Sequence, residues 1–479
     1  MKRIFSMLLI ATMLLTAFPF CAGAAGSADL DGCYDALFAG LLECSDYIDI
    51  GDYKVSEAEL YEVFEKLSKN EPMLFHISGG YSYYMWSDGP YAVLPEYVMS
   101  KSEYESAREL VNGELEEILS LIPEGLDDVE KALFLHDYLC VNFEYDLDYS
   151  IYDIYNMLLE GTAVCMGYAL LYDELLSRIG IDSAAVISPA DSINHMWNEI
   201  ELDGVWYHVD CTWDDPITDR FGKASHNYYL LCDDCARSQH ENCVYYTENE
   251  CSDKTYEALE WRFVDSQLAF VGGSIYGLDY NKIVEIDLLS SELNVIETVL
   301  TEGWYASDGA YIGYKGGFGG YGDLLYYNDS DSINSFDPET GDTVEVYKPE
   351  SGIIIGLYMN GNVIHYLLSD TGYDEDGIEY TYIITDTTPD PDPDPDPNPD
   401  PDPDPDPDPD PDPVTVVGDV NLDGAANQYD YILVKRHYFG TRILTDDETL
   451  HADVNKDDAV NQYDYILIKR IYFGTYVVG

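Results

Sequence analysis

Positive charge is what this chain has least of. Its 23 Lys and Arg stand against 92 Asp and Glu, for a net charge of −69. So acidic a surface repels phosphate backbones and anionic headgroups, which excludes nucleic acid and acidic membranes as expected partners. Twelve of the acids lie in 386–413, so 92 − 12 = 80 remain elsewhere and the acidity is global. It reads as solubility and cation tolerance. No long apolar run follows the first two dozen residues, so no bilayer-spanning helix is expected in the mature chain. No paired-carboxylate motif stands out as the mark of a glycosidase.

What is present is enough apolar sequence for real cores: 46% hydrophobic and 24% charged residues over a length of 479, which predicts two or three domains. Residues 1–24 run from Lys2-Arg3 through IFSMLLIATMLLTAFPF to Ala22 and Ala24. That is the pattern of a signal peptide cut near Ala24/Ala25, so a secreted, extracellular protein is expected, with no membrane attachment after removal. Of ten cysteines, Cys21 leaves with the signal. If Cys165 stays a free thiol, Cys33, Cys44, Cys140, Cys211, Cys232, Cys235, Cys243 and Cys251 remain, an even set that favours disulfides in a secreted chain. A structural zinc at Cys232, Cys235, Cys243 and Cys251, with His240 as a further candidate, is the alternative. Cys140, inside the helical pattern LFLHDYLC, reads as a core residue.

From about Ser56 to Asn142 the periodicity is helical, with Leu60, Val63, Phe64 and Leu67 on one face and Leu110, Leu115, Ile118, Leu119 and Ile122 on another. MLFHISGGYSYYMW and YAVLP between them read as strands. Asp127-Asp128 then opens a helix over VEKALFLHDYLCVNF.

The densest chemistry lies between Gly161 and Asp210. Val164 to Ile179 reads as a helix stopped by Gly180, so Cys165 sits at the helix N-terminus, where unpaired amides favour a thiolate and an oxyanion. HMWNEIEL and VWYHVDCT flank Asp203-Gly204, a two-residue hairpin turn. In that register Leu202 faces Val205, Trp197 faces Asp210 and His195 faces Thr212. His195 and Asp210 then share a sheet face as diagonal neighbours, roughly 7–8 Å apart at the backbone. His208 shares that face and is a second candidate partner of Asp210. His136 reads as structural.

Residues 262–385 change to short alternating runs separated by turns, an all-β module of eight to ten strands. Pro389 to Pro413 is nearly strict Asp-Pro, an extended tether of roughly 75 Å at about 3.1 Å per residue. The segments 419–441 and 453–475 repeat with an offset of 34 and are identical at 18 of 23 positions. Each places oxygen ligands at loop positions 1, 3, 5, 9 and 12, with a backbone carbonyl at position 7, as a calcium ion requires ahead of a helix. The candidates are Asp419, Asn421, Asp423, Ala425, Asn427 and Asp430, then Asp453, Asn455, Asp457, Ala459, Asn461 and Asp464.

These repeats resemble the dockerin module of cellulosomal proteins, including Asp at position 12. Asp458 at position 6, where the turn favours Gly, departs from the pattern. The resemblance implies two calcium ions and a cohesin domain of a scaffoldin as partner. It also implies contact residues Gln428, Tyr429, Lys435 and Arg436, duplicated as Gln462, Tyr463, Lys469 and Arg470, so that either half can face the cohesin. The pieces HDYLCVNFEYD, GTAVCMGYA, HMWNEI, WYHVDCTWDDP and NYYLLCDD resemble the transglutaminase-like (papain-type cysteine) superfamily over roughly 126–234. That resemblance implies Cys165 as nucleophile, His195 as general base and acid, and Asp210 as the group orienting the imidazole.

The expected architecture is multidomain. A signal peptide (1–24) and a helical N-terminal region with a small sheet (25–125) precede an α+β papain/transglutaminase-like catalytic core (126–261). A small all-β module (262–385), a disordered Asp-Pro linker (386–413) and an all-α calcium-binding dockerin of paired EF-hand-like loop-helix halves (414–479) follow. The expected function is a cellulosome-associated cysteine enzyme acting on protein or peptide amides through an acyl-enzyme, as peptidase or amidase. The alternatives are a cross-linking transglutaminase and a non-catalytic binding or structural subunit.

Overall fold

The computed structural model describes residues 4–8 and 28–384, with gaps at 88, 189–192, 216, 218–219, 241–242, 248, 300–302, 306–310, 315 and 371–376, and scattered residues from 417 to 468. Most of the expected signal segment and all of the Asp-Pro repeat lie outside the described residues. Contacts divide the chain into two units, 1–386 and 387–479.

In the first unit, β1 (Ile4–Leu8) pairs antiparallel with β3 (Ile77–Met85), in a sheet of order β1-β3-β4-β2 completed by β4 (Pro90–Tyr97) and β2 (Ile48–Asp49). Helix α1 (Leu30–Leu42), which the sequence patterns above do not include, is N-capped by Asp29. Helix α2 (Glu57–Asn70) opens on a Ser56/Glu59 capping box that satisfies two otherwise orphan amides. Leu37 and Leu41 of α1 and Leu60, Val63, Phe64 and Leu67 of α2 bury their apolar stripes in one core with Tyr81 and Val93 of the sheet. Helix α3 (Lys101–Ser120) uses the same device, Ser100 with Glu103, and buries Leu110, Val111, Leu115 and Ile118.

The central layer begins with α4 (Asp128–Asn142), capped by Asp127 with Glu130. After β5 (Glu144–Tyr145), α5 (Ile154–Glu160) and β6 (Thr162–Ala163) comes α6 (Cys165–Ile179), which Gly180 ends in the left-handed conformation at φ 82°. Helix α6 packs on α4 and on the antiparallel sheet β7 (Ser183–Ser188), β8 (His195–Leu202), β9 (Val205–Val209). The β8–β9 hairpin has Leu202 opposite Val205, and Asp203 and Gly204 both take positive φ, as a type I′ turn needs. The chain then turns through α7 (Cys211–Asp214) and α8 (Asp233–Gln239).

From Ala269 to Ile383 the described elements are strands. β10 (Ala269–Val271), β11 (Ser274–Asp279), β12 (Lys282–Ile286) and β13 (Asn294–Thr298) form one meander, followed by the pair β14 (Gly303–Tyr305) and β15 (Tyr311–Tyr314). A second meander is β16 (Phe318–Tyr321), β17 (Leu324–Asn328), β18 (Ile333–Phe336) and β19 (Thr343–Tyr347). A three-stranded sheet, β20 (Ile353–Asn360), β21 (Val363–Ser369) and β22 (Gly377–Ile383), ends it. β16 packs against both β10 and β20.

These sheets are joined to the central layer by polar contacts at close range. Asn142, the last residue of α4, and Asn360 of β20 exchange side-chain hydrogen bonds of 2.7 and 3.3 Å. Gln267 both donates to and accepts from the Met359 backbone. Gly222 has φ +74°, and a Cβ there would fall 2.1 Å from the Leu357 carbonyl oxygen, so only glycine fits this approach.

In the second unit α9 (Asp446–Ala452) carries a Thr445/Glu448 capping box, and Val420, Leu433, Val434, Leu444, Ala452 and Ile468 form its core.

Candidate active site

Three elements bring Cys165, His195 and Asp210 together. Cys165 is the first residue of α6, behind Val164 as N-cap. His195 opens β8, the central strand of its sheet. Asp210 follows β9 and caps α7, its Oδ1 accepting the Trp213 N–H at 3.2 Å. Pairing of β9 stops at Val209, so the cross-strand partners expected for Trp197 and His195 are not formed; the chain coils into α7 there instead. The side chains meet nonetheless, with His195 Nε2 2.6 Å from Asp210 Oδ2. The imidazole also has a side-chain hydrogen bond with Cys165. Because Nε2 is engaged by Asp210, the nitrogen toward the sulfur is Nδ1. His195 and Asp210 are buried, while Cys165 is half-buried and forms the accessible edge.

Burial alone would push the His195 imidazole down, but the Asp210 charge and hydrogen bond, helped by Cys165, raise it to about 10. Burial likewise acts to raise the Asp210 carboxyl, and the neighbouring imidazoles overrule it and hold it well below the usual carboxylate range.

The sequence patterns missed a second histidine on the same carboxylate. His240 Nε2 lies 2.8 Å from Asp210 Oδ2, the oxygen that also meets His195. His240 stacks on Trp197 and Trp213 at 4.5 Å each, and His195 stacks on Trp213 at 4.8 Å. A lone histidine just beyond a seven-residue helix carries no motif, and only the fold brings it to Asp210.

The other sequence candidates go elsewhere. His208 does not reach Asp210: its Nδ1 accepts the Trp197 indole N–H at 3.1 Å and its Nε2 faces Asp233 at 3.3 Å. Burial lowers the His208 imidazole to about 4, against the pull of Asp233. The nine described cysteines are all free thiols, so the expected disulfides are not formed. Nor are the four candidate zinc thiols gathered into one shell. Cys232 and Cys235 converge with Glu257, and Cys251 with Glu199 and His208, while Cys243 has a side-chain hydrogen bond with Ser188. Burial together with Glu257 pushes the Cys235 thiol up to about 12.

A second buried His–Asp network lies deeper. His136 sits between Asp137 (3.0 Å) and Asp214 (3.1 Å). His226 bridges Asp137 (3.0 Å) and the Val264 carbonyl (2.9 Å), and Asp137 also accepts the Leu268 N–H at 2.7 Å. A cavity of about 670 Å³ is lined by Asp127, Glu130, Tyr256, Glu285 and Asp287 among others, and none of the three candidate catalytic residues lines it.

In the second unit the described calcium candidates are Asp419, Asp430, Asp453 and Asp464. Asn421, Asp423, Ala425, Asn427, Asn455, Asp457, Ala459 and Asn461 lie outside the described residues, as do Gln428, Tyr429, Lys435, Arg436, Gln462, Tyr463, Lys469 and Arg470. The two halves show one arrangement: Val420 N–H donates to Asp430 Oδ1 at 2.6 Å, and Val454 N–H to Asp464 Oδ1 at 2.8 Å. Both position-12 carboxylates are fully buried, and an all-oxygen donor set suits calcium.

Residues 120–211 match the model of the transglutaminase-like superfamily, and residues 417–471 match that of the dockerin type I domain. The chain therefore carries a transglutaminase-like core and a C-terminal type I dockerin domain. Among curated proteins it is similar to the kyphoscoliosis peptidase of Homo sapiens, 26% identical over 140 residues, or 24% of this chain and 21% of that protein. The Mus musculus kyphoscoliosis peptidase is 24% identical over 157 residues, or 28% and 24% of the two chains. This chain thus spans about a quarter or less of the length of these relatives. Among solved structures, a "TGase" crystal structure aligns over 26% of this chain and 41% of its own, at 13% identity and a TM-score of 0.21. Type I dockerin domains bind calcium and dock on cohesins, which marks the chain as an extracellular, cellulosome-associated protein. Among the described residues no helix is long and apolar enough to cross a membrane.

Proposed function

We propose that this is a secreted cysteine enzyme that cleaves protein or peptide amide bonds through an acyl-enzyme at Cys165, carried to the cellulosome by its dockerin. The observation that carries the reading is the 2.6 Å contact of His195 Nε2 with Asp210 Oδ2, which leaves the other ring nitrogen for Cys165. The Cys165 proton passes to His195 Nδ1, and the thiolate attacks the amide carbonyl. The oxyanion faces the Cys165 and Met166 amides at the start of α6, which have no acceptor within the helix, whereas the Gly167 N–H is taken by the Val164 carbonyl at 2.9 Å. The imidazolium then protonates the leaving amine, and its conversion back to the base activates a water that releases the acid. Asp210 stays ionised throughout and fixes the imidazole. The curated relatives, named as peptidases, lean the same way. A lysine amine in place of water would make the same site a transglutaminase.

In the dockerin, the twelve calcium candidates would hold two ions. The pairs Gln428-Tyr429 and Lys435-Arg436, with their duplicates Gln462-Tyr463 and Lys469-Arg470, would face the cohesin. Chelation with EDTA is expected to abolish cohesin binding and leave the Cys165 thiol as reactive as before.

The test of the enzyme is selective alkylation of Cys165 by iodoacetamide, followed by mass spectrometry of a peptide library incubated with the full chain. Cleaved products support hydrolysis, and isopeptide cross-links support transfer. A Cys165 that stays unlabelled at neutral pH, or labelling unaffected by His195→Ala, would leave the non-catalytic binding subunit as the reading.

A further inference from the structure

We propose that His240 is a positioning residue of the site, a resident cation that holds Asp210 ionised and aimed at His195 during the half of the cycle in which His195 is neutral. The inference rests on the Cys165–His195–Asp210 reading above.

The geometry is specific. Asp210 is held at three points: Oδ1 by the Trp213 N–H, and Oδ2 by both His195 and His240. His240 is fixed in turn, since its Nδ1 lies 3.0 Å from the Ala236 carbonyl and its backbone N–H donates to the same oxygen at 2.8 Å. Both ring nitrogens therefore face atoms that can only accept, a carboxylate oxygen and a backbone carbonyl. Both contacts are satisfied only when each nitrogen carries a proton, which makes the ring an imidazolium. Trp197 and Trp213 stack on the ring at interplanar angles of 15° and 21°, and indole faces favour a cation. The remaining ionisable groups around it are His195 on β8, His208 on β9, Tyr228 and Tyr245 in the flanking loops, and Cys243 three residues on.

The role follows from the cycle. Desolvation works against the charge of a carboxylate as buried as Asp210. His195 offsets that cost while it is an imidazolium, but it gives up its proton each time it protonates a leaving group. Without His240, Asp210 would then face a neutral ring and take up a proton more readily. Its hold on the imidazole tautomer would be lost at the step where orientation matters.

The test is the alkylation rate of Cys165 by iodoacetamide in the full chain between about pH 5 and pH 9. His240→Phe keeps a ring between the indoles and removes both N–H groups. Its rate at about pH 6 is expected to fall about ten-fold, the equivalent of a one-unit shift of the acid limb, and to rejoin the wild-type rate near pH 9. His240→Gln, whose amide can still donate to Asp210, is expected to recover part of the loss. A wild-type profile for a folded H240F would overturn the proposal while leaving the Cys–His reading intact. An unreactive Cys165 in the wild-type chain would end both. Should H240F not fold, side-chain ¹⁵N spectra of histidine-labelled wild-type protein, assigned with H240Q, decide. Two protonated nitrogens on His240 at neutral pH are expected, and one overturns the proposal.

Discussion

Two buried clusters of the first unit are built from the same parts. His195, Asp210 and His240 form one; His136, Asp137, Asp214 and His226 form the other. In both, an imidazole is raised far above its ordinary value against burial, His195 to about 10 and His136 to about 9, because carboxylates hold it. They differ in what closes them. The deeper cluster is sealed by backbone: Leu268 N–H on Asp137, the Val264 carbonyl on His226, and the Tyr228 N–H on Asp214. The other ends at a half-exposed thiol on the first turn of a helix. A perturbed histidine therefore marks neither chemistry nor structure; what marks chemistry is an edge from which the network can act on something else.

Substitutions should separate the two clusters. Cys165→Ala is expected to cost at least about a thousand-fold in amide cleavage and to move thermal stability by less than about 1 kcal/mol. If its melting temperature falls steeply instead, the thiol is a structural group and the contrast fails. Asp137→Ala should do the reverse. It leaves one nitrogen of each of two buried imidazoles and a backbone N–H without the Asp137 acceptor, at a cost of about 3–5 kcal/mol read by urea unfolding.

The pH dependence of stability sharpens the contrast further. His136 is raised to about 9 in the fold, so its stabilisation is complete below its ordinary value near 6.5 and is lost as pH rises through about 9. Asp137 is lowered to about 2, so its contribution is present above about 3.8 and is lost as pH falls through about 2. The contribution of these two groups, read by calorimetry, is expected to be constant between roughly pH 4 and pH 6.5, with a decline on the alkaline side. His136→Gln should flatten that decline, and an unchanged alkaline slope would count against the network. The smallest effect expected is that of Asn360→Ala, which removes the Asn142 amide pair for about 1 kcal/mol. A larger loss would show that this seam, and not the Asp137 network, ties the β sheets to the central layer.

What the sequence made legible depended on local rules. The Asp203-Gly204 turn announces its own register because both positions take positive φ, and Leu202 does face Val205. Gly180 stops α6 for the same backbone reason. The dockerin domain is legible because its pattern is local, each repeat placing its candidate ligands within one short loop. His240 and the fate of the cysteines were not legible, since both depend on which distant segments meet. His208 shows the cost of extending a strand rule: it lies on β9 as expected, but Trp197 and Asp233 take its two nitrogens.

The double duty of Asp210 has an evolutionary consequence. The same carboxylate that fixes His195 caps α7 through the Trp213 amide. If the proposed reaction is this chain's, a descendant that abandoned it would still be under selection to keep this aspartate for folding, and its stacked indoles with it. The half-exposed Cys165 would be released from that selection first. Among sequences of this type, the loss of the cysteine beside an intact aspartate is the signature to expect of a scaffold that has outlived its reaction.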